Sequence, residues 1–278
     1  MPRQARTWSR LLVAGVVATC LLAGCGPSEP SQRLVWSDEF DGSAGSAPDT
    51  HAWKAATGGD GWGNNELQCY TDSRGNSALD GHGHLVITAL RDPGHTCDGG
   101  RRNDYTSARL TSQNLQSFMY GTLSVRAKMP TGAGIWPAFW ALGRDHDTVG
   151  WPASGEIDVT EVVGSDGAVS HATLHGAKPD GSPYAITSQF HAAADLSADF
   201  HTYSVTWTPS GFTFAVDGSI FSTVTKATVQ KSGTWAFDQP FYLLLNVAVG
   251  GNFPGPPSSS TAWPQQMVVD WVRVYQDG

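Results

Sequence analysis

The chain has 278 residues, with 32 Gly, 16 Pro and 11 Trp, and 17 Lys+Arg against 25 Asp+Glu give a formal net charge of −8. That length accommodates one large all-β domain or two small ones, and the acidic balance excludes a surface built to hold phosphate backbones. Tryptophan and glycine in an acidic chain suit a carbohydrate binder, because flat apolar rings match the C–H faces of sugars, although a core position is the commoner use of any single Trp.

Arg3, Arg6 and Arg10 form a basic leader, and residues 11–22 form an apolar stretch too short to span a bilayer. It ends in Leu22–Ala23–Gly24–Cys25, which resembles a bacterial lipobox. Residues 1–24 are then a lipoprotein signal peptide, cut before Cys25, whose thiol carries the lipid. An ordinary secretory signal with an incidental Cys25 is the alternative. Residues 25–33 read as a flexible tether, and residues 34–278 as the functional domain. Loss of Arg3, Arg6 and Arg10 takes the formal charge from −8 to −11. Beyond the leader no apolar run is long enough for a membrane helix, so the membrane is met only through the lipid anchor; the protein is exported, to the outer face of the bacterial cell membrane as a lipoprotein or to the extracellular space. With Cys20 lost and Cys25 lipidated, Cys69 and Cys97 remain. An even pair in an exported chain suggests a disulfide. No Cys/His spacing suggests zinc.

Residues 34–40 read as a first strand. The stretch Gly58–Gly59–Asp60–Gly61–Trp62–Gly63–Asn64–Asn65–Glu66–Leu67–Gln68 is a glycine-rich loop around one Trp, and its amides suit a rim that hydrogen-bonds sugar hydroxyls. Strands are expected over 84–90, 105–111 and 120–129, with a polar loop at 93–103. Arg109 is either a solvated strand residue or a fork aimed at hydroxyls or carboxylates. In Gly134–Ile135–Trp136–Pro137–Ala138–Phe139–Trp140–Ala141–Leu142, period two puts Trp136, Ala138 and Trp140 on one face and Ile135, Pro137 and Phe139 on the other, and one face must be core.

Three carboxylates fall within six residues in Glu156–Ile157–Asp158–Val159–Thr160–Glu161, among β-branched neighbours that favour a strand. Alternation puts Glu156 and Asp158 on one face and Glu161 on the other. One inserted residue, a β-bulge between Asp158 and Glu161, gathers all three. Acids so gathered are costly unless they act together, and paired carboxylates suit glycoside hydrolysis. In the next strand, 168–176, His171, Thr173 and His175 share a face, and pairing with the acidic strand brings His175 to the site. No Gly-x-Ser-x-Gly elbow supports a serine triad. Later strands are expected at 203–208, 212–216, 220–225, 241–249 and 267–275. Residues 241–249 are nearly all apolar and form a strand buried on both faces, with Asn246 as the lone polar insertion. Roughly a dozen short strands without a long amphipathic helix indicate an all-β sandwich.

These stretches, from Trp36–Ser37–Asp38–Glu39–Phe40 through the Trp62 loop and the acidic strand to Val269–Asp270–Trp271–Val272–Arg273–Val274–Tyr275, resemble glycoside hydrolase family 16, laminarinase branch. The resemblance implies a jelly-roll of two curved antiparallel sheets with an open concave cleft, and retaining, endo-acting hydrolysis of β-1,3-glucosidic bonds. It implies Glu156 as nucleophile, Glu161 as acid/base beside His175, and Asp158 between them. It implies sugar contacts from Asn64, Glu66, Arg109, Trp136, Trp140 and Trp151. Phe253 stands where the family often has Trp. A structural calcium on the convex side would sit at Glu39, Gly83 and Asp270, although Asp270 also reads as an ordinary surface acid. No catalytic cofactor is implied, the partner is a β-glucan rather than nucleic acid, and the enzyme is expected to be a monomer. A non-catalytic glucan binder would usually lack one or both of the glutamates, and relatives acting on mixed-linkage glucan, agar or carrageenan are the other alternative.

Overall fold

The computed structural model describes residues 32–278. The expected signal peptide, Cys25 and most of the tether lie outside the described residues. The first strand starts at Gln32, so Gln32 and Arg33, read as tether, pair with Asp277 and Gln276 instead.

The strands are, in chain order, β1 (Gln32–Asp38), β2 (Lys54–Ala55), β3 (Gln68–Tyr70), β4 (Ser77–Leu79), β5 (Leu85–Thr96), β6 (Arg102–Ser107), β7 (Arg109–Thr111), β8 (Gly121–Lys128) and β9 (Ile135–Gly143). A short helix α1 (His146–Val149) precedes β10 (Glu156–Val162), β11 (Val169–Ala177), β12 (Pro183–His191), β13 (His201–Thr208), β14 (Gly211–Val216) and β15 (Ser219–Thr225). Helix α2 (Lys226–Ser232), β16 (Phe241–Val249) and β17 (Gln265–Asp277) complete the described chain.

These strands form two sheets. The front sheet runs β12-β11-β10-β9-β16-β7-β2, and the back sheet runs β15-β14-β13-β8-β17-β5-β6-β3, with β1 on β17 and β4 on β5. The core between them takes one residue in two from each strand. In β16 it receives Phe241, Leu243, Leu245, Val247 and Val249. The alternate residues Tyr242 and Leu244 pack on the outer face with Leu142 and half-buried Trp140. The all-buried strand expected at 241–249 is therefore β16, covered on both sides.

Three expectations differ from the structure. The stretch 105–111 is two strands, because the chain leaves the back sheet after Ser107 and enters the front sheet at Arg109. The loop expected at 93–103 is mostly strand, since β5 continues through an irregular register between Arg91 and His95 and β6 begins at Arg102. Strand β12 was not expected at all. Its apolar Tyr184, Ile186 and Phe190 are interleaved with Ala, Thr, Ser and Gln, a weak alternation that begins at a proline, which is tolerated at an edge strand's first residue. Helix α2 is capped by Thr225, whose Oγ1 accepts from the Thr228 amide at 3.1 Å.

Candidate active site

Strand β10 carries the acids, and its register shifts between Asp158 and Glu161 against β11 and between Asp158 and Thr160 against β9. The expected bulge is there. Ile157, Val159 and Val162 enter the core, Thr160 is buried with its hydroxyl 2.9 Å from that of Ser170, and Glu156, Asp158 and Glu161 all line one cleft of about 810 Å³. Two indoles hold the outer acids. Trp151 Nε1 donates to Glu156 Oε2 at 2.7 Å, and Trp136 Nε1 donates to Glu161 Oε1 at 3.0 Å.

Asp158 is 3% exposed. Its Oδ2 lies 3.2 Å from His175 Nε2. Glu156 pairs with His175 across the sheet, while Glu161 pairs with His171. His175 thus stands against Asp158 and Glu156 and is also close enough to act on the Glu161 carboxyl, while His171 is the cross-strand backbone partner of Glu161.

Burial first, and then the neighbouring Asp158 charge, push the Glu156 carboxyl up to about 8. Burial pushes Asp158 up to about 7. Glu161 is held well above the usual carboxylate range by burial and by the charges of Asp158 and Glu156. Three such groups share protons rather than ionise independently. The site can therefore present a protonated acid beside an ionised carboxylate, the pairing that glycosidic cleavage requires. Among the described residues, Glu156, Asp158 and His175 also place donor atoms within 4.8 Å of one another, close enough to attract a metal ion.

The rest of the cleft is aromatic and amide. Trp62, Asn64, Glu66, Arg109, Trp136, Trp140 and Trp151 all line it. Arg109 lies between two indoles, 4.7 Å from the Trp62 ring centre and 4.6 Å from that of Trp140. Asn64 Nδ2 donates to Glu66 Oε1 at 3.3 Å, and Gln68 Nε2 donates to Glu66 Oε2 at 2.6 Å. Burial raises the Glu66 carboxyl, against these hydrogen bonds. Positive-φ backbone at Gly61, Trp62, Gly63 and Asn65 folds this loop over the sheet, and the Asn64 carbonyl accepts from the Asn252 amide at 2.8 Å. Sequence reasoning singled out Trp62 as part of a rim without naming it a sugar contact. It missed Thr187 and Gln189 because β12 was not recognised. Phe253 is 43% exposed and packs edge-on to Trp136 and His171 at the cleft margin.

Cys69 and Cys97 are bonded as expected. Glu39, Gly83 and Asp270 do not line the cleft. Pairing of Asp38 with Val272 and of Leu85 with Val269 brings their backbones to one part of the back sheet. The Asp270 carboxylate accepts from Arg126, and Glu39 is bidentate with Arg273 at 2.9 and 2.8 Å. These hard oxygen donors suit calcium, but a cation would share Asp270 with the Arg126 guanidinium.

Comparison with known proteins agrees with this geometry. The profile of Glycosyl hydrolases family 16 matches residues 64–273. The chain is 39% identical to a beta-glucanase of Rhodothermus marinus, over 94% of this chain and 92% of the relative. The catalytic domain of an endo-1,3-beta-glucanase (laminarinase) from Thermotoga petrophila superposes with a TM-score of 0.82 at 39% identity, over 90% of this chain and 99% of that one. A non-specific endo-β-1,3(4)-glucanase co-crystallized with 1,3-β-D-cellotriosyl-glucose superposes with a TM-score of 0.79 at 37% identity, over 90% and 96%. With the bulged acidic strand and the aromatic cleft already in place, these matches establish that the chain belongs to glycoside hydrolase family 16.

Proposed function

We propose that the protein is a retaining endo-β-1,3-glucanase that cuts internal bonds of laminarin-type β-glucans. The observation that carries this reading is the bulge in β10, which puts Glu156, Asp158 and Glu161 into one cleft between the indole donors of Trp151 and Trp136. Ionised Glu156 attacks the anomeric carbon while Glu161 protonates the departing glycosidic oxygen. The glycosyl-enzyme ester then opens as Glu161 takes a proton from water, which restores both groups. Asp158 sits between them, and its charge keeps the Glu161 proton in place until it is needed. The Trp151 N–H favours the ionised form of Glu156, in part offsetting burial and the Asp158 charge, which favour its proton. Glycon units stack on Trp136, Trp140 and Trp62, while Asn64, Glu66 and Arg109 meet their hydroxyls. The chemistry needs no catalytic cofactor.

A second reading is broader linkage tolerance, favoured by likeness to an endo-β-1,3(4)-glucanase. Product analysis on laminarin, lichenan and agarose in parallel tests both. Laminari-oligosaccharides of retained anomeric configuration are expected from laminarin; an inert laminarin digest with active agarose would overturn the assignment.

Three further expectations belong to the same reading. Export as a lipoprotein through Cys25, with the enzyme outside the cell membrane, rests on the lipobox and is tested by membrane fractionation of a Cys25→Ser variant. A monomer is tested by light scattering. A structural calcium at the Glu39 and Gly83 carbonyls and Asp270 rests on the strand register, and an unfolding temperature unchanged between excess Ca²⁺ and chelator would remove it.

A further inference from the structure

Asn246 is the one carboxamide in a strand whose nine residues are all buried. Both ends of its side chain are used. Its Oδ1 accepts from Trp140 Nε1 at 2.7 Å, and its Nδ2 donates to the Tyr70 hydroxyl at 3.0 Å. Tyr70 is 1% exposed and, unlike Asn246, is absent from the cleft lining. Burial, first of all, holds its phenol protonated. The Tyr70 hydroxyl that accepts from Asn246 also lies near the Glu66 carboxylate, whose charge raises the phenol further. Glu66 in turn accepts from Gln68, whose Oε1 takes the Val249 amide at 2.7 Å, which returns the chain of contacts to β16. The Trp62 ring also rests edge-on against Tyr70, with centres 5.2 Å apart.

We infer that Tyr70 and Asn246 are positioning residues of the glycon-binding half of the cleft: through them the stacking ring Trp140 and the hydroxyl acceptor Glu66 are held as one rigid unit. The inference rests on the proposed glucanase reading. The physical reason is that a flat indole and a carboxylate must address the same sugar, one through its C–H face and one through its hydroxyls. Either alone can rotate. Trp140 comes from β9 and Glu66 from the loop before β3, and their backbones meet only by way of β16, which pairs with β9 and is followed at Gly250 by a bridge to Glu66. Asn246, braced by Tyr70, and Gln68 add side-chain coupling to that path from either side of β16, in a buried setting where each hydrogen bond is costly to leave unmade. The acids of β10 take no part in it, so the relay governs binding rather than bond cleavage.

The test is steady-state kinetics on laminarin-type oligosaccharides, with their affinities measured by calorimetry. Tyr70→Phe removes one hydroxyl and is expected to raise KM and Kd roughly three- to tenfold, the worth of one hydrogen bond, with kcat changed less than about twofold. Asn246→Leu should do at least as much, and the double variant should be no worse than Asn246→Leu alone, because both cut the same relay. Tyr203→Phe is the control. Tyr203 is a fully buried phenol of the back sheet whose hydroxyl has no hydrogen-bond partner among the described residues, and its loss should leave KM unaltered. Unchanged KM and Kd in Tyr70→Phe, additive losses in the double variant, or an equal KM rise in Tyr203→Phe would each overturn the inference. A wild-type protein that neither cleaves nor binds these oligosaccharides overturns the functional reading and this inference with it; one that does both, beside an indistinguishable Tyr70→Phe, overturns this inference alone.

Discussion

Asp158 illustrates how much one buried carboxylate does for its neighbours. Its charge raises both Glu156 and Glu161, so Asp158→Asn should let each release its proton more readily. Loss of the Glu161 proton ends the acid's role as pH rises. The alkaline limb of the kcat/KM profile is therefore expected to move to lower pH, with reduced turnover, and an unmoved limb would remove Asp158 from the proton-sharing group. Glu156→Ala should cost at least about a thousandfold in kcat, as removal of a nucleophile does, while oligosaccharide Kd and the circular dichroism spectrum stay near wild type. Substantial residual hydrolysis would displace Glu156 as nucleophile. These acids were legible in the sequence because side-chain parity makes their spacing a problem that only a bulge solves. Asn246 was legible only as a lone polar insertion and Tyr70 was not singled out, since the hydrogen bond between them spans 176 positions of sequence.

At the scale of elements, the loop that carries Trp62, Asn64 and Glu66 is fastened at several points. Gly58 bridges to Tyr70, the Gly59 carbonyl accepts from Asn103 at 3.1 Å, and the Cys69–Cys97 bond ties β3 to the turn after β5. That bond closes a separation of 28 residues, and on the loop-entropy account its removal costs about 3–4 kcal/mol. The paired Cys69→Ser, Cys97→Ser variant should unfold roughly 6–16 °C lower by calorimetry, with a raised KM from a loosened Trp62 loop. A variant as stable as wild type would show that hydrogen bonding alone holds the loop. Strong alternation made β8, β9, β11, β13 and β14 readable. The crossing between sheets at Ala108 was not, because a residue 0% exposed and small enough to fit between layers reads like any other strand alanine. Strand β12 escaped because its cleft-lining Thr187 and Gln189 are the residue types of a loop.

Across the whole molecule, the price of the active site falls on stability. The native Glu156 carboxyl holds its proton up to about 8, against 4.5 for the free group. Below the lower value both folded and unfolded chains are protonated and nothing is lost. Between the two the unfolded chain has released its proton and the native chain has not, so stability declines as pH rises through that window. Glu156→Gln removes this liability. It should match wild type near about pH 4 and unfold a few degrees higher near about pH 9 by calorimetry; equal melting at both would show that the acid is not strained by burial. The stack of Trp62, Arg109 and Trp140 has a further consequence, optical rather than energetic. A guanidinium pressed between two indoles, with solvent open on the cleft side, ties the emission of those rings to what lies against them. A sugar ring settling there replaces water at the indole faces, so the protein carries an unlabelled reporter of occupancy, and the catalytically silent Glu156→Ala variant can be titrated with glucan by its own fluorescence.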